Sequence, residues 1–282
     1  MTDLRHLATE QANPRSARLD TLPVVELLRV INGEDATVAG AVAKAIPAIA
    51  RTVEAIVLRL ARGGRLFYIG AGTSGRLGCV DASEMPPTYG VPATLVQGII
   101  AGGYDALLRS QEGAEDDGAA GVRDTLARGI GERDAVIGLS VSGRARYVRE
   151  ALREARRRGA FTACITCNRN SALIPCVRVA IVAETGPEVV AGSTRMKAGT
   201  AQKLILNMLS TATMVRLGRV KGNRMVDLQL KCEKLRERAR NLVMEETGAS
   251  AAAACRALQA AGGSVRKAVT ALRTERLKRK RR

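Results

Sequence analysis

Aromatic side chains are nearly absent from this chain of 282 residues, which has no Trp, two Phe and four Tyr. Its core must therefore be built mainly from Ala, Val, Leu and Ile, within a sequence that is 46% hydrophobic. That supply is sufficient for one large domain, alone or with a small appendage. Stacking platforms for single-stranded nucleic acid are correspondingly scarce.

Histidine is almost as rare, since His6 in the polar N-terminal stretch is the only one. This argues against Ser-His-Asp or Cys-His catalysis and against a His-rich metal site. The G-x-x-x-x-G-K-[ST] pattern of nucleotide-binding loops is also missing. Acid and base chemistry, if present, must come from Glu, Asp or Lys.

Long apolar runs are missing too: no stretch of about 18 uncharged apolar residues occurs, and the first twenty residues are polar. We therefore predict a cytoplasmic protein with no membrane partner. Six cysteines are spread through apolar segments, as is typical of reduced core thiols. Cys164 and Cys167 form C-x-x-C, but within an apparent buried strand, which favours structural thiols over a redox or zinc site.

Negative charge is also in short supply, because 45 basic residues face 27 acidic ones and the net charge is +18. The basic residues cluster near residue 155 and after Glu275. Such charge could attract nucleic acid by a salt-sensitive route that ignores sequence. We favour the alternative of a solvated Arg-rich surface and a frayed tail, and expect no specific nucleic-acid partner.

The order of periodic segments predicts the fold. Residues 1–20 form an irregular arm, and residues 22–62 have a helical pattern that we expect to be divided at Pro47. Five short β-branched apolar runs follow, with helical stretches between most of them, near 104–128 and 146–158. The runs are 65–70, 93–100, 134–140, 161–166 and 178–183. This alternation is typical of an α/β fold: a doubly wound, mostly parallel five-stranded sheet flanked by helices.

Two long helical patterns follow the fifth strand, one opening at Met196 and one at Met225, and Gly248 ends the second. Residues 249–282 have the pattern of two or three short Ala-rich helices with a basic tail. We therefore predict one large domain over 21–248 and a small helical C-terminal appendage over 249–282.

A glycine-rich turn directly follows the first predicted strand, where Gly70, Gly72 and Gly75 satisfy G-x-G-x-x-G. A strand, glycine turn and helix start together present backbone N–H groups to an anion. A dinucleotide site also requires an acidic residue about 20 positions further on. No Asp or Glu lies between Glu84 and Asp105, so the turn is predicted to hold a phosphate other than that of a nicotinamide cofactor.

Hydroxyl groups near this turn could donate hydrogen bonds to a phosphate. Thr73 and Ser74 lie in the glycine turn, and Ser140 and Ser142, with Gly143, follow the third strand. Loops after neighbouring parallel strands meet at one sheet edge, so these two predict a cradle for a phosphate monoester. Ordinary turn serines are the alternative. A third polar segment, which contains Ser193 and Thr194, could cap the helix opening at Met196 or face the ligand.

Two groups of carboxylates are candidates for proton transfer. Glu84 precedes Pro86 and Pro87, which predict a fixed extended loop, and a buried carboxylate near a phosphate would have a raised pKa. The second group is Glu112, Glu115, Asp116 and Asp117. Taken singly, each acid could equally be a solvated surface charge or a helix cap.

The combination of these segments resembles a known family. "GAGTSGRLGCVDASEMPPTYG", "IIAGG", "EGAEDD", "SVSGR", "EVVAGSTRMKAGTAQKLILNMLS" and "GNRMVD" are similar to the N-acetylmuramic acid 6-phosphate etherases of the sugar isomerase (SIS) domain superfamily. The likeness runs in collinear order from about Thr21 to Gly248, whereas the last 34 residues match only loosely.

The resemblance implies a homodimer that uses water to cleave the lactyl ether of a sugar phosphate, N-acetylmuramic acid 6-phosphate, in cell-wall recycling. The products are N-acetylglucosamine 6-phosphate and D-lactate, and no metal or organic cofactor is expected. The family's mechanism is β-elimination from the open-chain sugar followed by addition of water. It implies Glu84 as proton donor to the leaving lactate and Glu115 as the other acid-base residue.

The same resemblance implies phosphate contacts from the two hydroxyl loops and weaker pocket-lining candidates from the third polar segment. The phosphate contacts are Thr73, Ser74, Ser140, Ser142 and Gly143, and the pocket-lining candidates are Ser193, Arg195 and Lys197. The chain departs from the family at Ala145 and Arg146, where Thr-Pro is usual, and at Ser140, where a small apolar residue is common.

Two related functions stay open at this point. Glucokinase regulatory proteins are similar but duplicate the domain, and they imply a non-catalytic sensor of sugar phosphates. Sugar-phosphate isomerases of the superfamily would use the same cradle. The presence of one domain copy with both glutamate motifs favours the etherase.

Overall fold

A computed structural model describes residues 7–225 and 233–280 of the chain. His6, Cys232 and residues 226–232 of the helix predicted from Met225 lie outside this range. The chain divides into two compact units, Met1–Ser83 with Thr94–Thr213, and Glu84–Ala93 with Met214–Arg282. The boundary predicted after Gly248 differs from this division and stays a prediction.

The first unit is built on a five-stranded sheet whose strands are all parallel, in the order β2-β1-β3-β4-β5. Its strands are β1 Leu66–Gly70, β2 Val96–Ile100, β3 Ala135–Leu139, β4 Phe161–Thr166 and β5 Val179–Val182. Each lies within one of the five predicted apolar runs. The predicted α/β architecture is confirmed.

Helices cover both faces of this sheet, which is why its strands are apolar throughout rather than alternating. Phe67 and Ile69 of β1 join the core formed with Tyr147 and Leu152 of helix α6, Arg146–Arg157. The side chain between them in β1, Tyr68, points to the opposite face and packs against Gly78 of helix α3, Gly72–Tyr89. The alternation of side chains along the strand thus gives one core on each face.

The helical pattern over 22–62 forms two helices, α1 Val24–Asp35 and α2 Val38–Ala61. The predicted division at Pro47 is wrong, because α2 runs through it without a break. Pro47 costs the helix one hydrogen bond, to the Ala43 carbonyl, and both residues lie on the exposed face where water can replace it. The opposite face is buried at helical spacing from Val38 to Leu60, and this burial holds the helix together.

The extended loop predicted at Pro86 and Pro87 is also wrong, since both prolines lie within α3. They occupy its last turn, so only two backbone hydrogen bonds are lost. Met85 and Tyr89, four positions apart, are buried on one side of this turn. The helix then ends at Gly90, whose N–H donates to the Pro86 carbonyl.

Three shorter helices and one long helix follow in the first unit, and the last three residues of the long one belong to the second unit. They are α4 Asp105–Leu108, α5 Gly118–Ala127, α6 as given above, and α7 Lys197–Arg216. The helix predicted near 104–128 is thus divided in two around a single 3-10 turn, Ala114–Asp116. The helix predicted to open at Met196 begins one residue later.

From residue 7 onward, the N-terminal arm contains three short 3-10 turns, Ala8–Glu10, Pro14–Ser16 and Leu19–Thr21. Several of its side chains attach it to the rest of the first unit, among them Asn13, Arg15 and Ser16. Asn13 donates from Nδ2 to the Glu34 carboxylate, and Ser16 donates from Oγ to the Val189 carbonyl. The arm is therefore irregular in structure but fixed in place.

Besides the ends of α3 and α7, the described residues of the second unit form a two-stranded antiparallel hairpin and three helices. These are β6 Val220–Lys221, β7 Arg224–Met225, α8 Glu233–Thr247, α9 Ala251–Ala260 and α10 Val265–Lys280. The helices share a small aliphatic core that includes Val243, Leu258 and Val265. Gly248 ends α8 as predicted, donating to the Met244 carbonyl in a left-handed conformation. Residues 249–280 form two helices, where the sequence predicts two or three.

The five described cysteines are all free. Cys164 lies in β4 and Cys167 just after it, both buried, and burial raises the pKa of each thiol to about 12. The structural assignment of this C-x-x-C is supported, whereas Cys255 departs from the expectation of core thiols because it is exposed. Within residues 7–225 and 233–280, no helix is long and apolar enough to cross a membrane.

Candidate active site

The central strands β1 and β3 lie side by side and deliver two polar loops to one edge of the sheet. Gly70, the last residue of β1, is in register with Leu139, the last of β3. The strand order reverses at this pair, because the chain proceeds from β1 outward to β2 and from β3 outward to β4. In doubly wound sheets, ligands bind in the crevice at this point.

The glycine turn brings a helix start very close to the end of β1. A Cβ atom on Gly75 would lie 2.8 Å from the Gly70 carbonyl oxygen and 2.6 Å from Cγ1 of Ile100. Helix α3 begins at Gly72, so the free N–H groups of its first turn point toward the crevice end of the sheet. The sequence prediction of an anion-binding turn therefore has the expected backbone arrangement.

Both hydroxyl residues of this turn lie near the start of α7. Thr73 is half-buried, with its methyl group 3.7 Å from the position that a Cβ on Gly199 would take. Ser74 is buried, and its Oγ donates to Oε1 of Gln202 at 2.9 Å. The first turns of α3 and α7 are thus packed together.

The loop after β3 is held by the loop after β4. Gly143 has φ +72°, and a Cβ there would lie 1.8 Å from Oγ of Ser171, so only glycine fits without a rearrangement. Asn168 donates from Nδ2 to the Ser142 carbonyl at 3.3 Å. Ser140 is buried and Ser142 half-buried, and the Ser142 Oγ accepts from the Arg144 N–H at 3.4 Å.

A polar cleft of about 220 Å³ joins the glycine turn to the acidic segment. Its lining comes from the turn after β1, from the segment after β2 and from the 3-10 turn that follows. The lining residues are Ala71, Gly72, Arg76, Ala101, Ala106, Ser110, Gln111, Glu112, Gly113, Ala114 and Glu115. Three larger clefts belong to the second unit, and none of the predicted site residues lines them.

Glu115 is the predicted catalytic residue that lines this cleft. Loss of solvent raises the pKa of its carboxyl, and the neighbouring charges of Asp116 and Glu112 raise it further. Arg76 lies in the same lining, with its Nε donating to the Leu107 carbonyl. The fourth acid of the group, Asp117, caps α5 by accepting from the Ala120 N–H, as the structural alternative predicts.

Glu84 lies twelve positions after Gly72 on helix α3 and belongs to the second compact unit. Its side chain is exposed in the single chain. The predicted loop around it is replaced by helix, whereas its role as an acid stays a prediction.

The third polar segment contributes mainly to structure. Glu188 caps α7 by accepting from the N–H groups of Lys197 and Ala198, each at 2.9 Å, so neither Ser193 nor Thr194 is the side chain that caps it. Lys197 is buried and its ammonium is bound to Glu34. Ser193 is half-buried and Arg195 exposed. Pocket-lining roles for Ser193, Arg195 and Lys197 stay predictions.

Sequence reasoning overlooked Gln202 and Glu188, two buried polar residues that fix the helix starts. The spacing of the α7 pattern places Gln202 on its buried face, and that signal was available. Glu188 could not be found from its sequence neighbours, since the carboxylate caps a helix nine positions further along the chain.

Known proteins of one name match nearly the whole length of this chain. It is 54% identical to an N-acetylmuramic acid 6-phosphate etherase of Symbiobacterium thermophilum, over 96% of this chain and 90% of that one. It is 52% identical to the protein of that name from Jannaschia sp., over 95% and 85% of the two chains. The chain belongs to the N-acetylmuramic acid 6-phosphate etherase family.

Domain models and solved structures agree with this family. The model of the glucokinase regulatory protein N-terminal SIS domain matches residues 48–156, and the SIS domain model matches residues 115–212. A phosphoheptose isomerase from Neisseria gonorrhoeae aligns with a TM-score of 0.53 and 16% identity, over 68% of this chain and 99% of that one. A phosphoheptose isomerase from Francisella tularensis aligns with a TM-score of 0.50 and 17% identity, over 70% of this chain and 100% of that one. At such identities these two structures establish a shared fold for this etherase-family chain.

Proposed function

We propose that this protein hydrolyses the lactyl ether of N-acetylmuramic acid 6-phosphate, giving N-acetylglucosamine 6-phosphate and D-lactate, in cell-wall amino sugar recycling. The observation that carries the proposal is identity above 50% to etherases over nearly the whole chain. Its setting is the cytoplasm, and its partner is the small sugar phosphate.

The phosphate is held by the loops after β1 and β3. Their hydroxyl groups, on Thr73, Ser74, Ser140 and Ser142, start from neighbouring strand ends, and Gly143 lets the second loop turn sharply. The first turn of α3 adds backbone N–H donors. This anchor orients the sugar so that its remaining carbons reach the acid-base residues.

The reaction proceeds by elimination and then addition. In the open-chain sugar the aldehyde at carbon 1 acidifies the proton on carbon 2, which Glu115 removes as a carboxylate. The bond from carbon 3 to the ether oxygen breaks, and Glu84 gives that oxygen a proton so that D-lactate leaves. Water then adds to carbon 3 and a proton returns to carbon 2. The aldehyde supplies the electron sink, so these steps require no metal or organic cofactor.

The raised pKa of Glu115 suits a base, because a more basic carboxylate removes a carbon-bound proton more readily. Glu84 must instead be protonated when lactate departs. The two carboxyl groups therefore need opposite protonation states at one pH.

The working form is a homodimer. The cleft of about 220 Å³ in the single chain is smaller than the roughly 300–1,000 Å³ usual for small-molecule sites. A second copy would supply additional walls. Size measurement in solution tests this assembly independently of activity.

The decisive experiment incubates the purified protein with N-acetylmuramic acid 6-phosphate in ¹⁸O-labelled water. We expect free D-lactate without label and one labelled oxygen on carbon 3 of the amino sugar product. Glu84→Gln and Glu115→Gln should each lower kcat by about 10²- to 10⁴-fold, the usual contribution of one positioned acid or base. Both variants should still bind the substrate.

Absence of lactate from folded wild-type protein would refute the etherase assignment. Binding of the sugar phosphate without turnover would then favour the sensor alternative, which the match to the glucokinase regulatory protein SIS domain makes the second candidate. Interconversion of an aldose phosphate and a ketose phosphate would instead identify an isomerase.

A further inference from the structure

The hydrogen bond between Ser74 and Gln202 joins the proposed phosphate turn to the interior. Both residues are buried, and Gln202 has no exposed surface. Ser74 Oγ donates to Gln202 Oε1 at 2.9 Å. At the other end of the same amide, Nε2 of Gln202 is buried and has no hydrogen-bond partner among the described residues.

This arrangement conflicts with the proposed role of Ser74. A serine hydroxyl has one proton, and here that proton is directed at Gln202. The oxygens of a phosphate dianion accept hydrogen bonds and cannot donate them. In this state Ser74 therefore offers only lone pairs to a phosphate, which would be repulsive.

We propose that Gln202 is a positioning residue that reorients the Ser74 hydroxyl when the phosphate of the substrate binds. The Gln202 amide turns by 180°, so that Nε2–H donates to Ser74 Oγ and the Ser74 proton is released to a phosphate oxygen. The rotation keeps a hydrogen bond between the two side chains, and the Nε2 that it brings to Ser74 has no partner to give up. This inference rests on the proposed phosphate site at Ser74.

The surroundings of Gln202 hold it where this exchange is possible. Helix α7 is fixed at its start by the Glu188 cap, whose carboxylate accepts from the N–H groups of Lys197 and Ala198. The backbone positions of Ser74 and Gln202 are thus set by two packed helix starts. Only the amide orientation and the hydroxyl proton are free to change.

A double-mutant cycle in the full-length protein tests the coupling, with the dissociation constant of inorganic phosphate as readout. Ser74→Ala should weaken binding by about tenfold, the loss expected for one hydrogen bond to a charged group. Gln202→Met should weaken binding by no more than this, because Ser74 keeps its hydroxyl and loses only the Nε2–H donor that orients it. The double variant should bind phosphate no less tightly than the single variant with the lower affinity, because Gln202 acts only through Ser74. KM for the sugar phosphate should rise in parallel, with a smaller change in kcat.

The rotation itself has a spectroscopic signature. The side-chain amide resonances of Gln202, assigned by their loss in Gln202→Met, should shift when phosphate is added to wild-type protein. They should not respond in Ser74→Ala. Gln259→Met, at an exposed glutamine of α9, is the matched control and should leave binding unchanged. Denaturation midpoints verify that each variant folds, and Gln202→Leu replaces the Met variant if that one does not.

The results separate this proposal from the function on which it rests. Additive losses in the double variant, or unchanged Gln202 resonances while phosphate binds, would overturn the role of Gln202. Failure of wild-type protein to bind phosphate would overturn both the site and this role. Coupling between the two residues in a protein that releases no lactate would support the proposal while refuting the etherase.

Discussion

The ammonium group of Lys197 is bound to the carboxylate of Glu34 inside the first unit, with only 3% and 7% of the two side chains exposed. Glu34 also accepts from Asn13 and Arg15 of the N-terminal arm. Burial alone would raise the pKa of Glu34, but the hydrogen bonds from Lys197, Arg15 and Asn13 outweigh it, and the pKa is lowered. One buried carboxylate thus connects the arm, the end of α1 and the start of α7.

Removing one partner of this pair should destabilise the protein strongly. Lys197→Met leaves buried Glu34 with only the largely exposed Arg15 as a cationic partner, and we expect a loss of about 3–5 kcal/mol in the free energy of unfolding, measured with denaturant. Adding Glu34→Gln should recover much of this loss. Arg169→Ala breaks an ion pair with Glu184 whose side chains are 77% and 43% exposed, and it should cost about 1 kcal/mol or less. Equal losses from the buried and exposed pairs would contradict the prediction.

The raised pKa of Glu115 should be visible in the pH dependence of kcat/KM. A base with a raised pKa stays protonated to higher pH, so activity on the acid side falls at a higher pH than for an ordinary glutamate. Asp116→Asn removes the neighbouring charge that contributes most to the shift after desolvation. The acid limb should therefore move to lower pH, whereas Asp105→Asn, at an exposed acid in α4, should leave it in place. An acid limb that moves upward in Asp116→Asn would show that another group controls it.

Close backbone contact makes Gly75 difficult to replace. Gly75→Ala forces a methyl group against the Gly70 carbonyl and the Ile100 side chain, so we expect a loss of about 1–3 kcal/mol in stability together with weaker phosphate binding. Gly131→Ala is the matched control, since no atom lies within 4 Å of the added Cβ. Its effect on stability should be within about 0.5 kcal/mol. Thermal melts and phosphate titrations of both variants distinguish the two sites.

The cysteines should differ sharply in reactivity. Cys164 and Cys167 are buried with pKa values near 12, so at pH 8 they present neither surface nor thiolate to an alkylating reagent. Cys255 is exposed and should be modified first, as followed by peptide mass spectrometry. In denaturant all three should react at similar rates. Rapid modification of Cys164 in the folded protein would mean that β4 opens readily.

Where apolar periodicity is strong, it was a sufficient guide to the fold. The five runs become the five strands, and the residues between most of them leave room for a covering helix. The predicted helix break at Pro47 and the predicted loop at Pro86 and Pro87 are wrong because helices continue through these prolines. In all three cases the lost backbone bonds were few, and burial of the opposite helix face, at Ile49 or Met85, outweighed them.

The candidate site was only partly predictable for a different reason. The spacing of glycines in the sequence indicates the positions that need close backbone approach or a left-handed backbone. These positions are Gly70, Gly75 and Gly143. The hydrogen bond from Ser74 to Gln202 spans 128 positions. No local pattern encodes such a contact, and it forms only when two helix starts are packed together.

The two hydroxyl loops extend from inner strands, since β1 and β3 each have a hydrogen-bonded neighbour on both sides. Amide protons in the middle of these strands exchange with solvent only when the sheet as a whole opens. The binding loops are thus anchored at one end to the strands that open last. On heating, catalytic capacity and native circular dichroism should disappear over the same temperature interval, with no inactive but folded species in between.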